Sequence, residues 1–504
     1  MSVTLHVVQD LLGSAIPELM ANIRSREVSP VEVVEQHIRR IETVNPLLNA
    51  VISDRFEAAR REAAAAETLV LQSRDPEELP PLLGIPFTAK DYIAAEGMPL
   101  TGGIWSRRHV RAEGDAETIR RLRKAGAILV AKTNVPEGGL WLESYNRIYG
   151  RTNNPWDLSR TCGGSSGGDG AIVAAGGVPF ALGADVGGSI RIPAAFCGIV
   201  GHKPSGRMVP NTGFWPPTEG KISAYLVCGP LTRRVRDVMP LMRVLAGPDG
   251  VDLVVRDWEL GDPAAIDLED LVVFPVERPG PRIRSSMRGA IRRASDALGD
   301  RGATIAEIDP SIFRRAFLIW SSMMTAAEGP DYRTILGDGL PIRTGRELLK
   351  SLVGRSHHTI PALVVVAAES LSRLISTKME ALVAAGKALQ AELEAILGQN
   401  GVLLAPPYTR PAPRHHGPLL TPFDFVCTGL FNVLEFPSTT VPIGFSGRLP
   451  LAVQVVGRRG NDHLTLAVAE VLEQSFGGWH RAEPSLRGRQ KPPLRPHLER
   501  DNNA

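Results

Sequence analysis

The sequence predicts an α/β protein built around a large mixed sheet, and two observations carry that prediction. Apolar runs of strand length alternate with amphipathic helical periods along most of the chain. No internal repeat and no Pro/Gly/Ser linker divides them, so residues 1–480 are expected to form one domain, followed by a flexible basic tail at 481–504. A composition of 43% hydrophobic and 22% charged residues in 504 excludes disorder and collagen.

The elements follow in order. Ser29-Pro30 ahead of VEVVEQHIRRIETV supplies an N-cap, a proline at the first helical position and an i, i+3, i+4 apolar stripe, which predicts a helix near 30–43. An Ala-rich helix is predicted over 55–72. The apolar run 82–89 predicts a buried strand that delivers Lys90 and Asp91 at its end. Helix 115–125, strand 128–131 and strand 180–186 come next, then helix 234–246, strand 271–276, helix 285–298 and strand 303–308. Helical periods at 311–326 and 366–397 precede strands at 402–405 and 451–456 and a last helix at 462–475.

Charge and cysteine usage narrow the function. The formal charge is +3, and residues 481–504 carry six basic groups against three acidic ones, so the first 480 residues sum to zero. That balance predicts no nucleic-acid partner. The four cysteines form no CxxC pair in a chain too large to need staples, which predicts a reduced, cytoplasmic protein. The opening MSVTLHVVQDLLGSAIPELM lacks a basic n-region, and no run approaches the roughly 18 apolar residues of a span, so neither secretion nor a membrane partner is expected.

Ten of the fifty glycines fall within residues 161–190. The first cluster, Gly163-Gly164-Ser165-Ser166-Gly167-Gly168, sits between core elements, which is the wrong place for a linker. It has no following lysine for a phosphate loop and no preceding buried strand for a nucleophile elbow. In the second cluster, GADVGGSIRIP at 183–193, a strand runs into paired glycines, a serine and a short helix. Consecutive N–H groups at such a turn bind an anion, and Ser189 at their focus is placed to attack a carbonyl. A plain turn with a capping serine is the alternative. Lys90, taken alone, is an ordinary strand-end lysine.

Taken together, Lys90, GGSSGG and GADVGGSIR resemble the amidase signature family of serine hydrolases. GIPFTAKD at 84–91, AKTNVPE at 131–137, YGRTNNPWDLSRTCGGSSGGDGA at 149–171, FCGIVGHKPS at 196–205 and PLAVQVVGRRGNDH at 450–463 extend the resemblance from about residue 17 to 478. It implies a large mixed twisted β-sheet covered by helices on both faces. It also implies Ser189 as nucleophile, Ser165 as a second serine on a cis peptide, and Lys90 as base. The N–H groups of Val186, Gly187, Gly188 and Ser189 would form the oxyanion hole, with Ser166, Asp185 and Arg191 in support. No metal and no organic cofactor is implied. Two residues depart from the family pattern: Asp169, where many members carry a small residue, and His202, which replaces an apolar one. Neither is expected to touch the triad, so both are expected to bear on substrate or packing rather than on reaction type.

The chemistry asks something of Lys90. An ordinary lysine, with a pKa of about 10.4, is neutral in only about one molecule in 2,500 at pH 7, a cost of roughly 4.6 kcal/mol. Burial beside Ile85, Phe87 and Ala89 is expected to lower it. Neutral Lys90 can then draw a proton from Ser165, and Ser165 from Ser189. Hydrolysis of an amide C–N bond follows, and the same relay can attack a carbamate. Two alternatives stay open: an α/β-hydrolase-type esterase using Ser165, and a subunit that releases ammonia to an amidotransferase partner. A monomer or homodimer is expected. For the substrate, the segment 205–225 with Arg207, Met208, Phe214 and Trp215 is expected to cover the pocket. The stretch 311–370 with Ile319, Trp320, Met323, Met324 and Leu363 is expected to line an apolar aryl or acyl site. Core packing is the alternative for both.

Overall fold

The computed structural model describes residues 10–485 except 219, 281, 328, 330 and 375–378. Its centre is an 11-stranded mixed sheet. The strands are β1 (Val51–Asp54), β2 (Pro86–Lys90), β3 (Ile128–Thr133), β4 (Phe180–Asp185), β5 (Val200–Lys203), β6 (Val227–Thr232), β7 (Val272–Pro275), β8 (Thr304–Ile305), β9 (Gly401–Ala405), β10 (Ser438–Ser446) and β11 (Leu449–Val456). They lie in the order β1-β3-β2-β4-β6-β5-β10-β11-β9-β7-β8. β2 runs parallel to both β3 and β4, and β7 to both β8 and β9; the other pairings are antiparallel.

Side-chain alternation along these strands separates two cores. Leu129, Phe180, Leu182, Leu404 and Val453 join one continuous cluster with the helices Ser285–Gly299 and Asp462–Phe476. On the opposite face, Ile128, Val130 and Ala181 pack against the helices Pro30–Leu48 and Gly167–Ala174. Further along that face, Leu403, Ala405 and Val456 pack against Ala316–Thr325, Met379–Leu397 and Val426–Val433. Helices therefore cover both faces, as expected.

Several boundaries differ for physical reasons. The helix at Pro30 begins on a capping box, with the Val31 N–H on Ser29 Oγ and the Ser29 N–H on Glu32, but it runs on to Leu48. The expected helix 366–397 is two helices, Ile360–Leu374 and Met379–Leu397. The expected strand 303–308 pairs only at Thr304–Ile305, on the sheet edge. β6 and β10 were hidden by Pro230 and Pro442, since proline within a run argues against an inner strand.

The first residues of the 481–504 segment belong to the body: the Ala482 N–H donates to the Ala174 carbonyl, and Arg40 pairs with Glu483. Residues 486–504, like residues 1–9 of the opening segment, lie outside the described residues. Among the described residues, no helix is long and apolar enough to cross a membrane. All four cysteines are buried and unpaired.

Candidate active site

The site forms where the parallel strands β2 and β4 end. β2 delivers Lys90 into the interior with only 2% of its surface exposed. Its ammonium donates to Ser165 Oγ at 2.7 Å and to the Ala184 carbonyl at 3.2 Å, and lies 5.2 Å from the centre of the Tyr92 ring. Burial lowers the Lys90 pKa from its ordinary value, opposed by Asp169, Asp185 and Cys228. Ser165 follows a cis Gly164–Ser165 peptide and stands one residue before Ser166, the N-cap of the helix Gly167–Ala174.

That helix starts where it does because glycine lets it sit directly on its neighbours. A Cβ on Gly168 would fall 2.7 Å from the Ala50 carbonyl oxygen, and the Gly168 N–H donates to the Asn134 carbonyl at 3.2 Å. Ser144 Oγ accepts the Gly167 N–H at 3.1 Å and bonds the Gly163 carbonyl at 3.2 Å, tying the loop to its flank. Sequence reasoning passed over Ser144.

Ser189 is joined to this segment by backbone: the Ser166 N–H donates to the Ser189 carbonyl at 3.1 Å. Ser166 Oγ bonds both the N–H and the carbonyl of Ala184 at 3.4 Å, so it bridges the first glycine cluster to β4. The expected trio therefore comes together as one direct contact, Lys90 to Ser165, plus an adjacent Ser189. No group among the described residues hydrogen-bonds the Ser189 hydroxyl, which is partly exposed.

The turn Val186–Ser189 is shaped by the Asp185 carboxylate. It accepts the Gly188 N–H at 2.7 Å and the Ile190 N–H at 3.0 Å, and is gripped by Arg191 Nε at 3.0 Å and Nη2 at 2.9 Å. Asp185 and Arg191 are fully buried. Burial alone would raise the Asp185 carboxyl, but the Arg191 guanidinium and these hydrogen bonds outweigh it and hold the group well below the usual carboxylate range. Asn432 Nδ2 reaches the same carboxylate at 3.0 Å, and Asn432 Oδ1 takes Arg191 Nη2 at 2.6 Å.

Of the four N–H groups expected to form an oxyanion hole, that of Gly188 is thus bonded to the Asp185 carboxylate. Gly188 instead supplies backbone: its φ is +122°, and a Cβ there would press on Thr428 and lie 2.8 Å from Ile192 Cδ1.

The carbonyls of the turn are also held. Trp320 Nε1 donates to the Val186 carbonyl at 3.2 Å, and Thr428 Oγ1 to the Gly187 carbonyl at 2.7 Å. Trp320 meets Phe425 edge-on at 4.8 Å, and Phe317 meets Phe423 at the same separation, so an aromatic group stands beside Gly187. Met324, like Trp320, is half-buried against the core cluster to which Ile319 and Met323 belong. Phe317, Phe423, Phe425, Thr428 and Asn432 were missed; the signal available was the pair Phe423-x-Phe425 ahead of a helix that carries Thr and Asn one turn apart.

The expected cover at 205–225 behaves differently. Met208 is fully buried and Phe214 is 6% exposed, both in the main core, so they are packing residues. Arg207 is paired with Glu435 at 2.7 Å. Trp215 stacks on Tyr92 at 6.4 Å and lies under Arg107 at 3.9 Å, with Tyr92 between it and Lys90. Asp169 is fully buried, and its carboxylate accepts from Thr133 Oγ1 at 2.6 Å, Thr133 being the register partner of Lys90, so it packs close to the base. His202 is buried between Thr439 Oγ1 at 2.9 Å and Asp462 Oδ1 at 3.2 Å, which is packing. The other paired histidines tie loops, His358 to Glu137 and His415 to Glu143. None meets Ser165, whose Oγ is bonded to Lys90.

Fold and constellation are those of a hydrolase acting on carbon–nitrogen bonds other than peptide bonds. The chain belongs to the amidase signature family: the family model described as Amidase matches residues 32–466. It is 40% identical over 489 residues to fatty-acid amide hydrolase 2-B of Danio rerio, covering 94% of this chain and 91% of that protein. It is 31% identical to the acylamidase of Rhodococcus erythropolis, over 92% of this chain and 96% of that one. A crystal structure of a bacterial aryl acylamidase superposes with a TM-score of 0.74 at 27% identity, covering 92% of this chain and 96% of its own.

Proposed function

We propose that this amidase cleaves aryl and acyl amides through a Ser189 acyl-enzyme, with Lys90 as base and Ser165 as the relay between them. The observation that carries the proposal is the 2.7 Å contact from Lys90 Nζ to Ser165 Oγ, both buried, beside a turn with three unclaimed N–H groups. Neutral Lys90 takes the Ser165 proton as Ser165 takes that of Ser189, and Ser189 Oγ forms the new bond to the carbonyl carbon. The oxyanion that develops is met by the N–H groups of Val186, Gly187 and Ser189. As the tetrahedral intermediate collapses, the C–N bond breaks and Ser165 returns a proton to the leaving nitrogen. Water then releases the acyl group by the reverse relay.

For the substrate, the aromatic group of Trp320, Phe425, Phe317 and Phe423 beside Gly187 supports a flat or long apolar group next to the scissile carbonyl. The relatives' names, fatty-acid amide hydrolase and acylamidase, support the same choice. Carbamates are proposed as a second substrate class, because an aryl carbamate offers the same carbonyl to the same nucleophile. The test compares kcat/KM for short and long acyl p-nitroanilides and aryl carbamates, with Ser189→Ala as control. Preference for aryl or long acyl amides, lost in the control, is expected; preference for acetamide-sized substrates would overturn the assignment.

A further inference from the structure

We propose that Asp169 is a positioning residue that sets how firmly Lys90 holds its proton, and so where on the pH scale turnover begins. The proposal rests on Lys90 being the base.

The placement is built from three elements. Lys90 and Thr133 are register partners at the ends of the parallel strands β2 and β3. The helix Gly167–Ala174 is seated on that same edge through Gly168. Its first turn therefore brings Asp169 down beside both strands, four residues after Ser165. Thr133 Oγ1 donates to Asp169 Oδ1 at 2.6 Å. Asp169 Oδ2 is buried without a hydrogen-bond partner, although the residue is fully buried. An ionisable oxygen left bare in the interior is costly unless a nearby charge answers it, and Lys90 and Lys132 are the cations that do.

The titratable and charged groups around the pair can be named. Just before Ser165 comes Cys162, whose thiol burial pushes up and keeps neutral. From β4 comes Asp185, already neutralised by Arg191. From β6 comes Cys228, whose thiol burial pushes up and keeps neutral. From β3 comes Lys132, whose ammonium donates to the Ile93 carbonyl and is drawn to Asp91. Tyr92 contributes its ring. Asp169 is thus the carboxylate near Lys90 that no arginine holds. Burial raises the Asp169 carboxyl, and the Thr133 hydrogen bond, Lys90 and Lys132 pull it back. On Lys90 the signs are reversed, with burial driving the proton off and Asp169 drawing it back. The carboxylate makes Lys90 the stronger base at the expense of the fraction that is neutral.

The test is the pH profile of kcat/KM on an acyl p-nitroanilide, with the rate of fluorophosphonate labelling at Ser189 as second readout. Asp169→Asn is expected to move the acid limb toward lower pH by about one unit and to lower the plateau. Thr133→Val removes the hydroxyl that steadies the carboxylate and is expected to shift the limb the same way by less. A structural role alone would lower the plateau and leave the limb in place, and that result overturns the proposal. Should Asp169→Asn fail to fold, Thr133→Val decides by the same criterion. An unmoved limb together with an inactive Lys90→Ala removes Asp169 from its role and leaves the base assignment standing. A Lys90→Ala enzyme that keeps the native limb overturns both.

Discussion

Asp185→Ala is the perturbation whose consequence the structure specifies most fully. The carboxylate takes Arg191 through two nitrogens at 2.9 and 3.0 Å, two backbone N–H groups of the turn at 2.7 and 3.0 Å, and Asn432 at 3.0 Å. Truncation leaves a fully buried guanidinium facing only Gln454 Oε1 at 3.2 Å and Asn432 Oδ1 at 2.6 Å. Breaking a buried ion pair from one side costs about 3–5 kcal/mol, a large share of a total stability on the order of 5–15 kcal/mol. Equilibrium urea unfolding followed by tryptophan fluorescence reads the loss. The Asp185 carboxyl is depressed, so its contribution is present above the unfolded value of about 3.9 and is lost as pH falls through the folded value. The gap between wild type and Asp185→Ala is therefore expected to narrow in acid. Adding Arg191→Met to Asp185→Ala is expected to recover part of the loss. A single-variant loss under about 1 kcal/mol, or a double variant that loses the sum of the two singles, would refute the reasoning.

Two further predictions concern turnover. Because the base must be neutral, kcat/KM is expected to rise with pH through the depressed Lys90 ionisation, giving an alkaline optimum; a flat profile from about pH 5 to 9 would remove Lys90 from the role. Trp320→Ala removes both the donor to the Val186 carbonyl and an aromatic wall beside Gly187, and is expected to lower kcat/KM roughly tenfold for aryl and long acyl amides and less for acetamide-sized ones. Equal losses across the series, measured on the same p-nitroanilide panel, would place Trp320 outside the substrate site.

Of the expected trio, only Ser189 was suggested by its own neighbours, the paired glycines at the end of a strand; Lys90 taken alone reads as an ordinary strand-end lysine, and it and Ser165 were singled out by the family resemblance. What sequence reasoning missed is tertiary. Thr428 and Asn432 are ordinary helix residues until Val426–Val433 docks against the turn. Asp169 was assigned to substrate or packing because nothing in the sequence says that its helix rests on the ends of β2 and β3. The resemblance placed Gly188 among the oxyanion donors, and only the fold shows that its N–H is bonded to the Asp185 carboxylate. In the fold, inner strands containing Pro230 and Pro442 defeated the local rule, since pairing on both sides outweighed the missing donors. Gly183, for which the sequence offered no account, lets β4 approach Ser166: a Cβ there would lie 2.9 Å from Ser166 Oγ.

The central claim is that Ser189 is the nucleophile and Ser165 its relay. Treating the enzyme with a fluorophosphonate at pH 8 and mapping the modified peptide by mass spectrometry tests it directly. The adduct is expected on Ser189, formed slowly in Ser165→Ala and not at all in Ser189→Ala. An adduct on Ser165 in the wild-type enzyme, or native labelling in Ser189→Ala, would contradict the account.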